Sequence, residues 1–314
     1  MLSAPDTDTD AVAIRRVAIT GASGLLGSAL ASRLQQQGIT VHRVKRGATA
    51  AAPDIAWSPS TGILDLSALE GVDAIVNLAG EPIAQRWDAK RKAAIRESRL
   101  TTTSLLAGAI AKLRHPPRVF LSGSAVGYYG NRGDEELDED SGPGSDFLAE
   151  VAVAWERAAD GARQSGTRVA LLRTGIVLSS AGGALRKMLM PFKFGLGGRV
   201  GSGKQWMSWI DLDDWVRATE FLLAADAIGG PVNLVSPSPV PNAEFTTTLA
   251  RVLGRPTLGV VPELAVDLLF GEMGRATLLA SQRVHPRRLV SAGFEFAHPT
   301  LEQALRAALG AQRP

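Results

Sequence analysis

Short apolar segments alternate with longer amphipathic segments through the first half of the chain. The short segments have the length and composition of buried strands, and the longer ones repeat apolar residues at helical spacing. The pattern predicts strands over 17–20, 40–44, 74–78, 119–122 and 168–173, helices over 25–37, 88–113 and 146–165, and a polar linker between 45 and 71. Strands that alternate with helices form parallel sheets covered on both faces, so we expect an α/β fold with a doubly wound parallel sheet.

The regular alternation weakens after residue 174, where glycines are crowded into residues 182–203. This composition predicts a loop-rich segment. Amphipathic patterns resume at 213–225 and 242–253, and Asn242 after Pro241 has the character of a helix N-cap. We therefore expect a smaller C-terminal lobe beyond the sheet.

Composition and charge narrow the possible classes of protein. Hydrophobic residues make up 45% of the chain and charged residues 21%, which is ordinary for a globular protein. The net charge is only +3 and the basic residues are scattered, so we expect no nucleic-acid partner. No apolar segment approaches the roughly 18 residues that span a bilayer, and the acidic N-terminus does not look like a signal peptide. We expect no membrane partner and a cytoplasmic location.

The chain contains no cysteine and four histidines. Disulfides, thiolate zinc sites and cysteine nucleophiles are therefore excluded. The histidines show no metal-ligand spacing with one another, so we expect no metal site.

Residues 21–27 read Gly-Ala-Ser-Gly-Leu-Leu-Gly, between the first predicted strand and the first predicted helix. In this context the first glycine permits a tight turn, the second lets the backbone approach a pyrophosphate, and the third allows the helix to pack on the strand. The helix N-terminus adds free N–H groups and a partial positive charge. The alternative is a glycine-rich turn without a ligand. We expect a Rossmann-type dinucleotide site formed by Gly21, Ser23, Gly24, Leu25, Leu26 and Gly27.

Three cations stand at the end of the second predicted strand, where NAD enzymes place an acid that holds the ribose 2'-hydroxyl. Arg43, Lys45 and Arg46 favour a 2'-phosphate instead, since such cations pair with phosphate. Asp54, the nearest acid, lies past Pro53 and is expected to be too distant to serve the ribose. The sequence therefore predicts NADP(H) rather than NAD as cofactor, unless these cations only solvate a loop.

The cofactor assignment completes the expected domain organisation. Residues 1–14 form a disordered leader, 15–178 an NADP-binding Rossmann domain, and 179–314 a smaller substrate lobe with some segments that return to the Rossmann core. Five cations in the glycine-rich part of this lobe could bind an anionic ligand such as a nucleotide-linked sugar, or only solvate the loop: Arg186, Lys187, Lys193, Arg199 and Lys204.

Several motifs occur in an order that resembles a known superfamily. They lie at residues 20–27, at 77–83 (Asn-Leu-Ala-Gly-Glu-Pro-Ile), at 97–100 (Glu-Ser-Arg-Leu), at 122–130 (Ser-Gly-Ser-Ala-Val-Gly-Tyr-Tyr-Gly), at 173–178 and within 191–214. Over residues 15–310 the chain resembles the extended short-chain dehydrogenase/reductase superfamily, and within it the epimerase family proteins of the SDR39U1 type, which are NAD-dependent epimerase/dehydratase-like.

The resemblance implies further cofactor contacts. A tripeptide at the end of a central strand would lie beside the adenosine and pyrophosphate, an arginine on the neighbouring helix would reach the cofactor, and a valine would border the nicotinamide. For each, the alternative is a packing role. The residues implied are Leu78, Ala79, Gly80, Arg99, Ser122 and Val177.

The usual chemistry of the superfamily needs a pair of residues that this chain lacks. Its reductases and epimerases use a serine and a Tyr-x-x-x-Lys pair, since hydride transfer at a carbinol carbon needs a matched proton transfer at its oxygen. The two tyrosines are followed four residues later by Arg132 and Gly133, and the helix expected to carry the pair has Phe147 and Val151. Phenylalanine cannot transfer a proton.

Three residues remain as candidates for catalysis. Ser124 matches the serine that hydrogen-bonds a substrate carbonyl, and Tyr128 or Tyr129 could act as an alternative acid, unless all three only pack or form turns. Two hypotheses follow. The chain is an NADP(H)-dependent oxidoreductase or nucleoside-diphosphate-sugar epimerase with an atypical active site, acting on a small-molecule substrate as a monomer or homodimer. Alternatively, it is a catalytically degenerate protein that binds or senses NADP(H).

Overall fold

The computed structural model describes residues 14–257 and 259–310, so residues 1–13 of the expected leader lie outside the described residues. The strands are β1 (Arg16–Thr20), β2 (Thr40–Arg46), β3 (Ile55–Ser58), β4 (Ile63–Leu64), β5 (Ala74–Asn77), β6 (Val119–Ala125), β7 (Glu136–Leu137), β8 (Arg168–Thr174), β9 (Ile176–Leu178), β10 (Gly198–Val200), β11 (Trp206–Met207), β12 (Trp209–Asp211), β13 (Gly230–Leu234), β14 (Val240–Pro241), β15 (Gly259–Val261) and β16 (Arg283–Val284).

Five of the helices lie where the sequence predicts them, although the helix that begins at Phe147 ends at Ala158 and not at residue 165. They are α1 (Leu25–Gln36), α2 (Leu66–Leu69), α3 (Ala89–Ile110), α4 (Phe147–Ala158), α5 (Gly183–Lys193), α6 (Leu212–Ala224), α7 (Asn242–Leu253), α8 (Glu263–Phe270), α9 (Glu272–Thr277), α10 (Arg287–Ser291) and α11 (Leu301–Leu309). None of the helices in this described part of the chain combines the length and the apolar character that a membrane span requires.

Eight strands form the central sheet, in the order β13-β8-β6-β5-β1-β2-β3-β4. Neighbouring strands are parallel except β3 and β4, which are antiparallel at one edge. The chain proceeds outward from β1 in both directions, so the sheet is doubly wound and the predicted α/β class is confirmed. The carboxyl ends of β1, β5 and β6 meet at one edge, where folds of this kind bind ligands.

Helices cover both faces of the sheet because the central strands are apolar on both sides. On one face, residues such as Ile19 pack against α1 and against Trp215 of α6. On the other face, Phe120 belongs to a core that includes Leu106 of α3. The two cores hold the central strands in register and fix where their carboxyl ends lie.

The segment from 45 to 71, predicted to be a polar linker, contains β3, β4 and α2. Ile55 and Trp57 are buried, and β3 extends the sheet beside β2. The prediction was wrong because a strand of four residues carries too little periodicity to be distinguished from a loop.

The glycine-rich segment is also more regular than predicted, since it contains α5 and β10. Leu185, Leu189 and Phe192 are buried at helical spacing and fix α5 against the lobe. Asn242 is not a cap but the first residue of α7, and its Oδ1 accepts a hydrogen bond from the backbone N–H of Val200 over 2.8 Å. Tertiary packing therefore determines both the helix α5 and the role of Asn242.

Residues beyond β9 divide between the sheet and a separate lobe. β13 returns to the sheet beside β8. Residues from α5, α7, β12 and α11 enclose a third apolar core that includes Trp209, Phe245 and Leu305. This lobe lies next to the carboxyl ends of the central strands through the short parallel pair of β9 and β12.

Asp211, Asp214 and the partly buried His298 form a polar cluster that joins the C-terminal segment to α6. One side-chain ligand atom from each residue lies within 4.8 Å of the other two, a grouping that histidine spacing in the sequence does not reveal. Asp211 accepts from the backbone N–H of Asp214 at the start of α6, and burial raises the pKa of Asp211. The Asp214 carboxylate accepts from the backbone N–H groups of Ala297 and His298, over 2.7 and 2.9 Å.

We expect Asp214→Asn to lower the free energy of unfolding by about 2 kcal/mol, because one buried N–H group loses its acceptor. Urea unfolding measures the change. Asp213→Asn removes the same charge at the exposed neighbouring position and should leave stability nearly unchanged. Equal effects of the two variants would contradict a specific role for the Asp214 contacts.

Candidate functional site

The glycine loop turns tightly against the end of β5. Gly21 has φ of +65°, and a Cβ added there would lie 2.7 Å from the carbonyl oxygen of Leu78. A Cβ added at Gly27 would lie 2.3 Å from the carbonyl oxygen of Gly21, so α1 packs directly on the loop. Both positions require glycine, as the turn and packing roles predicted.

The N-terminus of α1 is open to a ligand. No side chain caps the helix at Gly24, and Ser23 and Gly24 are exposed while Leu25 and Leu26 are half-buried. A Cβ added at Gly183 would lie 3.4 Å from the Leu25 side chain, which places the start of α5 beside the start of α1. The free N–H groups and the helix dipole make this a site suited to an anion.

The Thr20 hydroxyl joins the ends of β1 and β5. It donates to Asn77 Oδ1 over 2.7 Å and accepts from the backbone N–H groups of Leu78 and Ala79, over 3.1 and 3.2 Å. Asn77 in turn donates to Thr103 Oγ1 on α3. These buried bonds hold Leu78 and Ala79 opposite the glycine loop.

Arg99 extends from α3 to the end of β5. Its guanidinium donates to the carbonyl oxygens of Glu81 and Ile95, each over 3.0 Å, and a Cβ added at Gly80 would lie 3.2 Å from the guanidinium carbon. Burial lowers the pKa of Arg99 to about 10, which leaves the group protonated at neutral pH. The structure thus brings a cation to the strand end that the sequence singled out.

The three cations at the end of β2 differ in their surroundings. Arg43 donates to Gln35 Oε1 over 3.3 Å, and Lys45 Nζ lies 2.5 Å from Asp54 Oδ2. The Arg46 side chain is exposed and has no hydrogen-bond or ion-pair partner among the residues that the structure describes. Residues 47–54 turn back, and this turn brings the Asp54 carboxylate to Lys45 and to the backbone N–H of Arg43 on β2.

Two residues implied by the resemblance have contrasting positions. Val177 is half-buried on β9, and a Cβ added at Gly183 would lie 3.7 Å from its carbonyl oxygen, so it borders the space between the loop and the lobe. Ser122 on β6 has no exposed surface, and its buried hydroxyl has no hydrogen-bond partner among the residues that the structure describes.

A buried ion pair lies beneath the candidate catalytic residues. Arg173 on β8 donates from Nε and Nη2 to the two oxygens of Glu156 on α4, over 2.8 and 2.9 Å, and Ser124 donates to Glu156 Oε1 over 2.7 Å. Burial alone would lower the pKa of Arg173, but the bonds to Glu156 and the neighbouring charges raise it above its usual value. The Ser124 hydroxyl is therefore held by a carboxylate.

The two tyrosines occupy different environments. Tyr129 has no exposed surface, its hydroxyl donates to Asn233 Oδ1 and accepts from Arg173, and burial raises its pKa to about 12. Tyr129 is thereby corrected from a candidate acid to a buried network residue. Tyr128 is half-buried, and its ring centroid lies 3.5 Å from the Arg173 guanidinium carbon.

The helix position expected for the missing tyrosine is apolar. Phe147 begins α4 and packs edge-on against Trp87, with ring centroids 5.1 Å apart. Lys92 Nζ lies 4.4 Å from the centroid of Phe147 and 2.7 Å from Glu272. Val151, one turn later, is buried. Neither α4 position can supply the usual proton donor or its lysine.

Glu156 and Asn233 are polar residues of the site that the sequence analysis missed. Glu156 falls on the buried stripe of α4 with Ala149 and Ala152, at spacings of seven and four residues. A carboxylate on such a stripe needs a charged partner, and this was the available signal. Asn233 gave no such signal, because its role depends on β13 lying beside β8.

Comparison with known proteins places this geometry in a family. The NAD dependent epimerase/dehydratase family matches residues 17–234. The chain belongs to this family. The domain of unknown function DUF1731 matches residues 261–308 of the same epimerase-family chain.

Similar proteins extend over nearly the whole epimerase-family chain. The epimerase family protein Mb2239 of Mycobacterium bovis is 49% identical over 290 residues, 92% of this chain and 96% of the relative. The crystal structure of human epimerase family protein SDR39U1 with NADPH has a TM-score of 0.85 and 35% identity, covering 95% of this chain and 100% of that one. A nucleoside-diphosphate sugar epimerase from Corynebacterium glutamicum has a TM-score of 0.78 and 36% identity, covering 96% of this chain and 59% of that one. The resemblance to the extended short-chain dehydrogenase/reductase superfamily and its SDR39U1 type is confirmed.

We expect Glu156→Gln to lower the free energy of unfolding by about 3 kcal/mol, because the Arg173 charge stays buried without its counter-charge. The double variant Glu156→Leu, Arg173→Met should lose much less stability than the sum of the losses of Glu156→Leu and Arg173→Met measured singly. Glu135→Gln breaks the exposed pair with Arg132 and should cost about 0.5 kcal/mol. Strict additivity in urea unfolding would contradict the coupling.

Proposed function

We propose that this epimerase-family protein binds NADP(H) across the carboxyl ends of β1, β2 and β5, with residues 15–178 as the core of the cofactor domain. The uncapped N-terminus of α1 would hold the pyrophosphate, and Arg46 with Lys45 would hold the 2'-phosphate. Arg99, Leu78, Ala79 and Gly80 would lie along the pyrophosphate and adenosine. The observation that carries the proposal is the exposed cationic end of β2, and the NADPH in the structure of the human relative supports it.

The proposed activity is hydride transfer on a small polar substrate, as an oxidoreductase or as an epimerase of a nucleotide-linked sugar. Tyr128 is the proposed proton donor, because it is the half-exposed tyrosine of the two and lies next to the Ser124, Glu156 and Arg173 group. Cations of the lobe would attract an anionic substrate: Lys187 already reaches across to the carbonyl oxygen of Ala84.

A second candidate function is cofactor binding without turnover. Phe147 and Val151 on α4 favour it, since they replace the usual acid and lysine with side chains that carry no proton. In that case the cofactor would stabilise the fold or report the NADP(H) pool. The two candidate functions share the cofactor site and differ only in whether hydride transfer takes place there.

Arg46→Ala is expected to weaken NADPH binding by about tenfold, because one charge-assisted contact to the 2'-phosphate is lost. NADH binding should change little. Calorimetric titration measures both, and Arg15→Ala, an exposed arginine at the opposite end of β1, controls for net charge. An equal loss of affinity for NADPH and for NADH would contradict the assignment of Arg46 to the 2'-phosphate.

Turnover distinguishes the two candidate functions. The protein with NADPH or NADP+ is tested against nucleotide-linked sugars and small carbonyl compounds, by cofactor absorbance and by NMR of the sugar products. Tyr128→Phe should lower an observed rate by about a hundredfold while the thermal shift with NADPH persists. A thermal shift without turnover on any substrate would instead support the binding function.

A further inference from the structure

We propose that Asp54 is a specificity-determining residue, which moderates the preference of the cofactor site for NADP(H) and allows NAD(H) to bind. The inference rests on the proposed cofactor function and adds a residue that neither the sequence pattern nor the family assigns. Its basis is the position of the Asp54 carboxylate among the cations at the end of β2.

The carboxylate is held in place from two sides. The backbone N–H of Arg43 donates to Asp54 Oδ1 over 3.3 Å, and Lys45 Nζ lies 2.5 Å from Oδ2. The segment that carries Asp54 is itself attached to β2, since a ring nitrogen of His42 lies 2.6 Å from the carbonyl oxygen of Pro53. The Asp54 side chain is 16% exposed, so the acid is a built part of this strand end.

The ion pair changes the charge that a cofactor meets. Lys45 would be a full cation for a 2'-phosphate, but its charge is balanced by Asp54 at contact distance. The Arg46 side chain remains exposed and has no ion-pair partner among the described residues. A phosphate with nearly two negative charges is repelled by a nearby carboxylate, whereas a ribose 2'-hydroxyl can donate a hydrogen bond to one. Asp54 therefore opposes NADP(H) and favours NAD(H).

The test compares Asp54→Asn with the unchanged protein, using calorimetric Kd values for NADPH and NADH. Asparagine keeps an oxygen that can accept from the Arg43 N–H but removes the charge. We expect NADPH to bind about five to ten times more tightly and NADH to bind equally or more weakly. The gain for NADPH should shrink as salt is raised, because the effect is electrostatic.

A matched control removes the same charge elsewhere. Asp226, in the turn before β13, is ion-paired with Arg118 at the amino end of β6, and Asp226→Asn should leave the ratio of the two Kd values unchanged. Lys45→Met introduced together with Asp54→Asn should remove most of the gain in NADPH affinity, because the proposed effect of Asp54→Asn depends on the charge of Lys45.

The outcomes separate this inference from the proposed function. If the unchanged protein binds neither NADPH nor NADH, the proposed cofactor function itself is overturned. If it binds NADPH but the ratio of Kd values in Asp54→Asn stays the same or moves toward NADH, the role assigned to Asp54 is overturned. Should Asp54→Asn lose its folded melting transition, Asp54→Ser is used for the same comparison and the same criteria apply.

Discussion

The buried hydrogen bonds of the Thr20 hydroxyl are the constraint on which the cofactor site depends. They connect the ends of β1 and β5 and hold two backbone N–H groups that would otherwise be unsatisfied beneath the glycine loop. With this edge fixed, the Leu78 carbonyl lies where no residue larger than glycine fits at position 21. The exposed N-terminus of α1 follows from that close approach.

A second buried network lies beside the candidate catalytic residues Ser124 and Tyr128. The pair of Arg173 and Glu156 uses the hydroxyls of Ser124 and Tyr129 as partners. Such a pair is held rigidly because each charge is buried and needs all of its hydrogen bonds. Beside this network, Tyr128 keeps part of its surface exposed. Of the two adjacent tyrosines, only Tyr128 therefore has a surface that a substrate could contact.

Electrostatics at the other end of the site depend on pairing as much as on residue type. Three cations stand near the end of β2, but one reaches toward α1, one is balanced by Asp54, and one is exposed. Counting all three residues as free cations therefore overstates the positive electrostatic potential at a bound phosphate.

The sequence by itself determined the five central strands of the sheet, its main helices and the glycine loop, because the strand and helix periods and the turn glycines are local signals. It also led to the family through motifs in their order. Only the tertiary structure decided the rest: β3 as a sheet strand, Asn242 as a link to β10, Tyr129 and Ser122 as buried residues, and Asp54 as a partner of Lys45. These features depend on contacts between residues distant in sequence or carried by segments too short to show a period, and no local pattern encodes them.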